Sequence, residues 1–183
     1  MTRRVCRAAG GVAAALLFTG LSGCGYALVG RGTSTDPSIK KIGVPTFKDA
    51  TGKPALDQKI TQKVIEELLK RGHFDVVPTA TGVDAVVDGE LVSYSVVPVG
   101  FSEEGTGANR TQASRYGIAL TARVKYTKTG EKEPIWASDN FTFRDEYDIG
   151  ADAATFFDRE DQALDRLAAS FARNLVAAML EAF

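Results

Sequence analysis

From Ser114 to Thr127 the side chains alternate without a break. Tyr116, Ile118, Leu120, Ala122, Val124 and Tyr126 fall on one side; Arg115, Thr121, Arg123 and Lys125 fall on the other. A period of two means a β-strand with one apolar face and one wet face. Such a strand cannot stand alone. Its N–H and C=O groups need neighbouring strands, and its apolar face needs a layer packed on it. The rest of the chain has to supply both.

It does so in a legible order. Ile39 to Phe47 reads as a first strand with Ile42 and Val44 on one face, and Pro45 suggests an edge position. Asp49-Ala50-Thr51-Gly52 is a turn cluster. From Pro54 the period becomes helical: Leu56, Ile60, Val64 and Leu68 recur every fourth residue, with Ile65 and Leu69 widening the stripe. Lys59, Lys63, Glu66 and Lys70 take the other side, and Lys70-Arg71-Gly72 marks the end. His73 to Pro78 then returns as a short strand parallel to the first. Asp84 to Phe101 is a long β segment whose second half, Val92 to Val99, is apolar on both faces. Glu103 to Ala113 is a polar loop, Thr129-Gly130 a turn, and Pro134 to Tyr147 another strand. A last amphipathic helix, about Asp158 to Leu180, puts Leu164, Leu167, Phe171, Leu175 and Ala178 on one face. The order is β-α-β-β-β-β-α. Two helices with one apolar stripe each, beside a half-polar sheet, predict an α+β two-layer sandwich: a mixed sheet with both helices on one face.

The first residues follow other rules. Arg3, Arg4 and Arg7 precede a short apolar run, Ala8 to Gly20, and small residues end it. A basic head, an apolar middle and a small-residue end make a secretory signal peptide. At 1.5 Å per residue the run is about 20 Å long, too short for a hydrocarbon core of roughly 30 Å. Leu21-Ser22-Gly23-Cys24 resembles the lipobox of bacterial lipoproteins, in which the thiol receives a diacylglyceryl group and the chain is cut before the cysteine. The expected organisation is a signal peptide over 1–23, a lipidated tether over 24–38 and a single domain over 39–183. The only other cysteine, Cys6, lies in the segment to be removed, so disulfides have no part in the expected mature fold. Gly25 after the cysteine, rather than Asp, follows the enterobacterial sorting pattern for the outer membrane. Cleavage takes away three arginines and no acids, moving the formal charge from −1 to −4. That argues against nucleic acid as a partner, which asks for clustered positive charge.

Several stretches together resemble the LptE family of lipopolysaccharide-assembly lipoproteins. They are Gly23-Cys24-Gly25-Tyr26-Ala27-Leu28-Val29-Gly30-Arg31, Ile39 to Phe47 with Asp49-Ala50-Thr51, Leu68 to Val77, Ala85 to Tyr94, Arg115-Tyr116 and Pro134-Ile135-Trp136. The resemblance implies an outer-membrane lipoprotein, not an enzyme, that sits inside the β-barrel of its partner LptD, helps that barrel fold and binds lipopolysaccharide. The alternative function is an auxiliary lipoprotein of a phospholipid-trafficking ABC transporter; a periplasmic hydrolase would need an acid–base pair that the sequence does not offer.

Catalytic chemistry finds little footing. His73 is the only histidine and stands between a helix end and a strand; common Cys/His metal sites are excluded by composition. No cofactor is implied. Glu66-Glu67, Glu103-Glu104 and Asp158-Arg159-Glu160-Asp161 read as solvated faces or a helix start. Anion binding is better supported, because alternation places Arg115, Arg123 and Lys125 on one strand face at roughly 6 to 7 Å per two residues. The resemblance adds Arg110 and Arg115, which fall near the loop where the family's lipopolysaccharide-contacting basic residues are found. The candidate anion-binding residues are therefore Arg110, Arg115, Arg123 and Lys125.

Overall fold

The alternating strand is the spine of the molecule. In the computed structural model, which describes residues 36–71, 73–102, 112–149 and 156–181, it runs as β5 from Gln112 to Lys128. Around it come β1 (Lys41–Gly43), β2 (Lys48–Asp49), α1 (Leu56–Lys70), β3 (Asp75–Val77), β4 (Ala85–Ser102), β6 (Trp136–Asp148) and α2 (Phe156–Leu180). The sheet order is β3-β1-β4-β5-β6, with β2 pairing β4 beyond the end of β1. β1 is parallel to β3 and β4, while β4, β5 and β6 are mutually antiparallel. This is the predicted mixed sheet, and Ser34–Phe183 packs as one compact unit.

Ile118, Leu120, Ala122, Val124 and Tyr126 of β5 are all buried to 1% exposure or less. The cover is the helix pair. Leu56, Ile60, Val64 and Leu68 of α1 are fully buried, as are Phe171 and Leu175 of α2. Alanines at 163, 168 and 172 let α2 lie close to its neighbours. The Phe171 ring meets Phe141 and Phe143 of β6 at 5.2 and 5.9 Å. Leu69 does not join the stripe; one residue past Leu68, it turns about 100° away and is 52% exposed.

The expected first strand is broken in two. Val44 still donates its N–H to Val77 O at 2.8 Å, but Pro45 has no N–H to give, and Phe47 donates to Thr61 Oγ1 at 3.0 Å instead of to a strand. Pro45 therefore lies past the end of β1 rather than on an edge, since β1 has a neighbour on each side. Phe47 turns inward and its ring lies over Gly89, where a Cβ would come within 2.3 Å of it. Gly89 occupies an inward position of β4, between buried Val87 and Leu91, and only glycine leaves room for the ring.

Acidic residues at the start of α2 were expected in solvent, and Glu160 is not. It is 6% exposed and accepts hydrogen bonds from Lys53 Nζ at 2.6 Å and Tyr94 Oη at 2.9 Å. This joins the turn before α1, the middle of β4 and the first turns of α2. Lys59 adds a second clamp, reaching Asp161 at 2.8 Å and Asp165 at 2.7 Å across the helix pair. Burial and then the Glu160 carboxylate push the Tyr94 phenol far above its ordinary pKa.

Candidate functional site

With both helices on one face, the other face of the sheet is wet. Arg115, Arg123 and Lys125 all stand exposed on it, as alternation requires. Arg110 lies outside the described residues, and so does Cys24. Eight residues of extended strand separate Arg115 from Arg123, about 27 Å, so the predicted row is two sites rather than one.

At the distal site Arg115 donates to Asp148 Oδ1 at 2.7 Å and stands 3.8 Å from Glu146. Asp148 is its register partner on β6 and raises the arginine's pKa. At the proximal site Arg123 donates to Glu90 Oε2 at 2.7 Å and lies 3.4 Å from Asp139. A bulge between Ala122 and Val124 brings Asp139 opposite the arginine. Both arginines are thus already held by carboxylates of neighbouring strands.

Lys125 differs. Its register partner is Asp88, yet among the described residues it joins no ion pair within 4.0 Å. The same holds for Lys48, a residue that strand alternation gave no reason to single out. Lys48 and Lys125 line one shallow groove of about 450 Å³ with Pro45, Thr46, Asp88, Gly89, Glu90 and Arg123. The groove exists because the chain steps out of the sheet at Pro45. Phe47 goes inward over Gly89, and Lys48 follows outward onto β4 opposite Glu90. A visible cue was the sequence Pro-Thr-Phe-Lys, where a proline interrupts the strand and one large apolar residue is followed by a cation.

The arrangement suits an anionic group at the surface. Two uncommitted ammonium groups and one guanidinium with N–H donors to spare line an open concavity. Asp88 and Glu90 in the same wall keep its field modest. Among the described residues no group of His, Cys, Asp and Glu side chains could hold a metal ion. No described helix is long and apolar enough to cross a membrane.

Similarity to known proteins agrees with this architecture. No curated protein matches the sequence. Among solved structures, a protein from Xanthomonas campestris superposes with a TM-score of 0.52 at 11% identity, covering 80% of this chain and 90% of that one. A hypothetical protein from Chlamydia trachomatis gives 0.51 at 10% identity, covering 78% and 96%. At such identities the likeness speaks for the fold alone. The family model of LptE, described as lipopolysaccharide-assembly, matches residues 39–179, the body from before β1 to the last turn of α2. The chain belongs to the LptE family of lipopolysaccharide-assembly proteins.

Proposed function

We propose that this protein is an outer-membrane lipoprotein that binds lipopolysaccharide on the wet face of its sheet. It works with an LptD-type β-barrel in bringing lipopolysaccharide to the cell surface. Removal of residues 1–23 leaves Cys24 at the amino terminus, where acyl chains hold the body to the periplasmic side of the membrane. The role is binding and assembly, not catalysis. The observation that carries the reading is the family match over residues 39–179. The groove beside Lys48 and Lys125 supplies a chemistry for it, since the phosphates of lipid A are strong multiple acceptors. Lys125, which lines the groove, makes a direct contact. Arg123 is a partly committed neighbour, and Arg115 belongs to the distal end of the same face; Arg110 stays a candidate from the resemblance alone.

The test is ligand-dependent stabilisation. Lipopolysaccharide added at about 100 times its Kd is expected to stabilise the folded protein by roughly 2.7 kcal/mol, read as a rise in Tm. Phosphatidylglycerol vesicles are expected to leave Tm unchanged. Lys48→Glu with Lys125→Glu should abolish the lipopolysaccharide effect while leaving the unliganded Tm in place. Equal stabilisation by phospholipid, together with co-purification of an inner-membrane ATPase complex, would instead support the phospholipid-transport reading. Co-purification of the barrel from native membranes is the matching test of the partner.

A further inference from the structure

The wet face of the sheet is divided along its length. In the proximal half β4 and β5 turn Asp88, Glu90, Arg123 and Lys125 outward, and Lys48 lies beside them. Two irregularities at one level close this half: β4 shifts register against β5 between Leu91 and Ser93, and β5 against β6 between Ala122 and Val124. Beyond them the outward pairs on β4 and β5 are Ser93 with Thr121, Ser95 with Ala119 and Val97 with Gly117. None carries a charge. Tyr94 and Val96 alternate with them and turn to the helices. Tyr94 bonds Glu160 there, so the polar triad with Lys53 lies on the opposite side of the sheet.

The neutral stretch becomes apolar in the part farthest from the groove. Val97 and Val99 are 49% and 48% exposed on a face whose other residues are polar or small. Gly117 stands opposite Val97, and a Cβ on it would meet Val99 Cγ1 at 3.1 Å, so both valines border a position without a side chain. With Ala119 two residues on, β5 forms a low floor and the valines a wall. The hydroxyls of Thr121 and Thr142 bond each other at 3.0 Å, which takes up polarity at the near end. The exposed Arg144 and Glu146 of β6, register partners of Ala119 and Gly117, run along the other flank. Arg115 with Asp148 closes the far end.

We propose that this strip, from Thr121 to Gly117, carries one acyl chain of the lipopolysaccharide whose phosphate the groove holds. The proposal rests on the lipopolysaccharide reading given above. The dimensions agree. Four residues of strand make about 14 Å, and an acyl chain reaches about 15 Å, half of a hydrocarbon core of roughly 30 Å. Two further residues, from Thr121 to Arg123, leave about 7 Å for the sugar that joins chain to phosphate. The ligand lies along the strands, its anionic end over Lys48 and Lys125 and its hydrocarbon over Ala119 and Gly117. The order of chemistry agrees as well: uncommitted cations at one end, a neutral floor next, exposed valines last. An amphiphile has these parts joined at this spacing, and covering the valines removes apolar surface from water.

The test uses the full lipidated protein in its own cells, with the photo-crosslinking residue p-benzoylphenylalanine placed singly at Thr46, Ser95, Val97 or Gln162 and mass spectrometry of the adducts. Thr46, in the groove, should capture the phosphorylated sugar. Ser95 and Val97 should capture a fatty acyl chain, and Gln162, exposed on α2, should capture neither. Val97→Asp should lower the acyl adduct at Ser95 roughly tenfold, and Val97→Leu should preserve it. Lys48→Glu with Lys125→Glu should lower the adducts at all three sheet positions. Sugar adducts at Thr46 with no acyl adduct at Ser95 or Val97 would overturn the strip and leave the groove standing. Protein adducts at Ser95 and Val97, or an acyl yield at Ser95 indifferent to Val97→Asp, would overturn it equally. Sugar adducts at Ser95 would overturn the orientation of the ligand and with it the strip. Absence of lipopolysaccharide adducts from every position would remove both readings.

Discussion

Replacing Gly89 with alanine tests whether the Phe47 ring builds the candidate site. The added Cβ would lie 2.3 Å from ring carbons Cδ2 and Cε2 and 2.5 Å from Cζ. Carbon atoms in contact settle at about 3.5–4.0 Å, so the ring has to retreat by more than about 1 Å. It has nowhere to go cheaply: Phe47 is 2% exposed and its own N–H is fixed to Thr61 Oγ1 at 3.0 Å. Overpacking of this kind costs about 1–3 kcal/mol. Phe47→Leu alone should cost roughly 1–2 kcal/mol, from one or two lost methylene equivalents at about 0.8 kcal/mol each. The double variant is the decisive one. A smaller side chain at 47 makes room for the methyl group at 89, so the double should be less destabilised than the sum of the singles by about 1–2 kcal/mol. Urea unfolding of the body from Ser34 to Phe183, followed by far-ultraviolet circular dichroism, measures all three. With a slope near 2 kcal/mol/M, Gly89→Ala should lower the midpoint by about 0.5–1.5 M. A midpoint unchanged in Gly89→Ala, or a double variant equal to the sum of the singles, would refute the reasoning.

Further outcomes follow from other groups. The Tyr126 hydroxyl is buried with no hydrogen-bond partner among the described residues, and burial pushes its pKa up to about 12; Tyr126→Phe should leave stability unchanged or raise it by up to about 1 kcal/mol, read as an equal or higher Tm. Glu160→Leu should destabilise by about 2–4 kcal/mol, because the amine of Lys53 and the hydroxyl of Tyr94 lose their shared acceptor at 2.6 and 2.9 Å. An unchanged urea midpoint would show the triad to be incidental. Asp36 is held by Lys128 first and by the Ser38 N–H next, which lower its pKa from 3.8 to about 2. A lowered folded-state pKa gives stability that is present above pH 3.8 and lost as the pH falls towards 2. Asp36→Asn should therefore flatten the acid branch of Tm against pH in that window and leave its shape at neutral pH alone.

The sequence showed the layers plainly because each depends on local periodicity. Tyr116 to Tyr126 at period two, and Leu56 to Leu68 at period four, need only their own neighbours to declare which side is buried. What stayed hidden depends on register between distant segments. Arg115 and Arg123 were correctly placed on one face, yet nothing local says that Asp148, Glu146, Glu90 and Asp139 arrive beside them. Glu160 shows the same limit, since its partners lie 66 and 107 residues away in sequence and turn an expected surface acid into a buried one. Pro45 by itself suggests an edge, whereas it ends a strand that has neighbours on both sides.

That ending is where packing and the site become one event. Had the first strand continued through Phe47, alternation would have kept its side chains in step with Ile42. Lys48 would then have lain in line with the sheet instead of beside Lys125. The proline breaks the ladder, the missing side chain at position 89 accepts the ring, and the cation is delivered to the wet face. The arginines predicted there are tied to carboxylates, and the chain as a whole carries a formal charge of only −1. Attraction for a phosphate must therefore arise locally, at the two lysines that the irregular strand brings together, rather than from the charge of the molecule as a whole. A regular sheet built from the same residue types would present balanced ion pairs along its outer face and little to hold an anion.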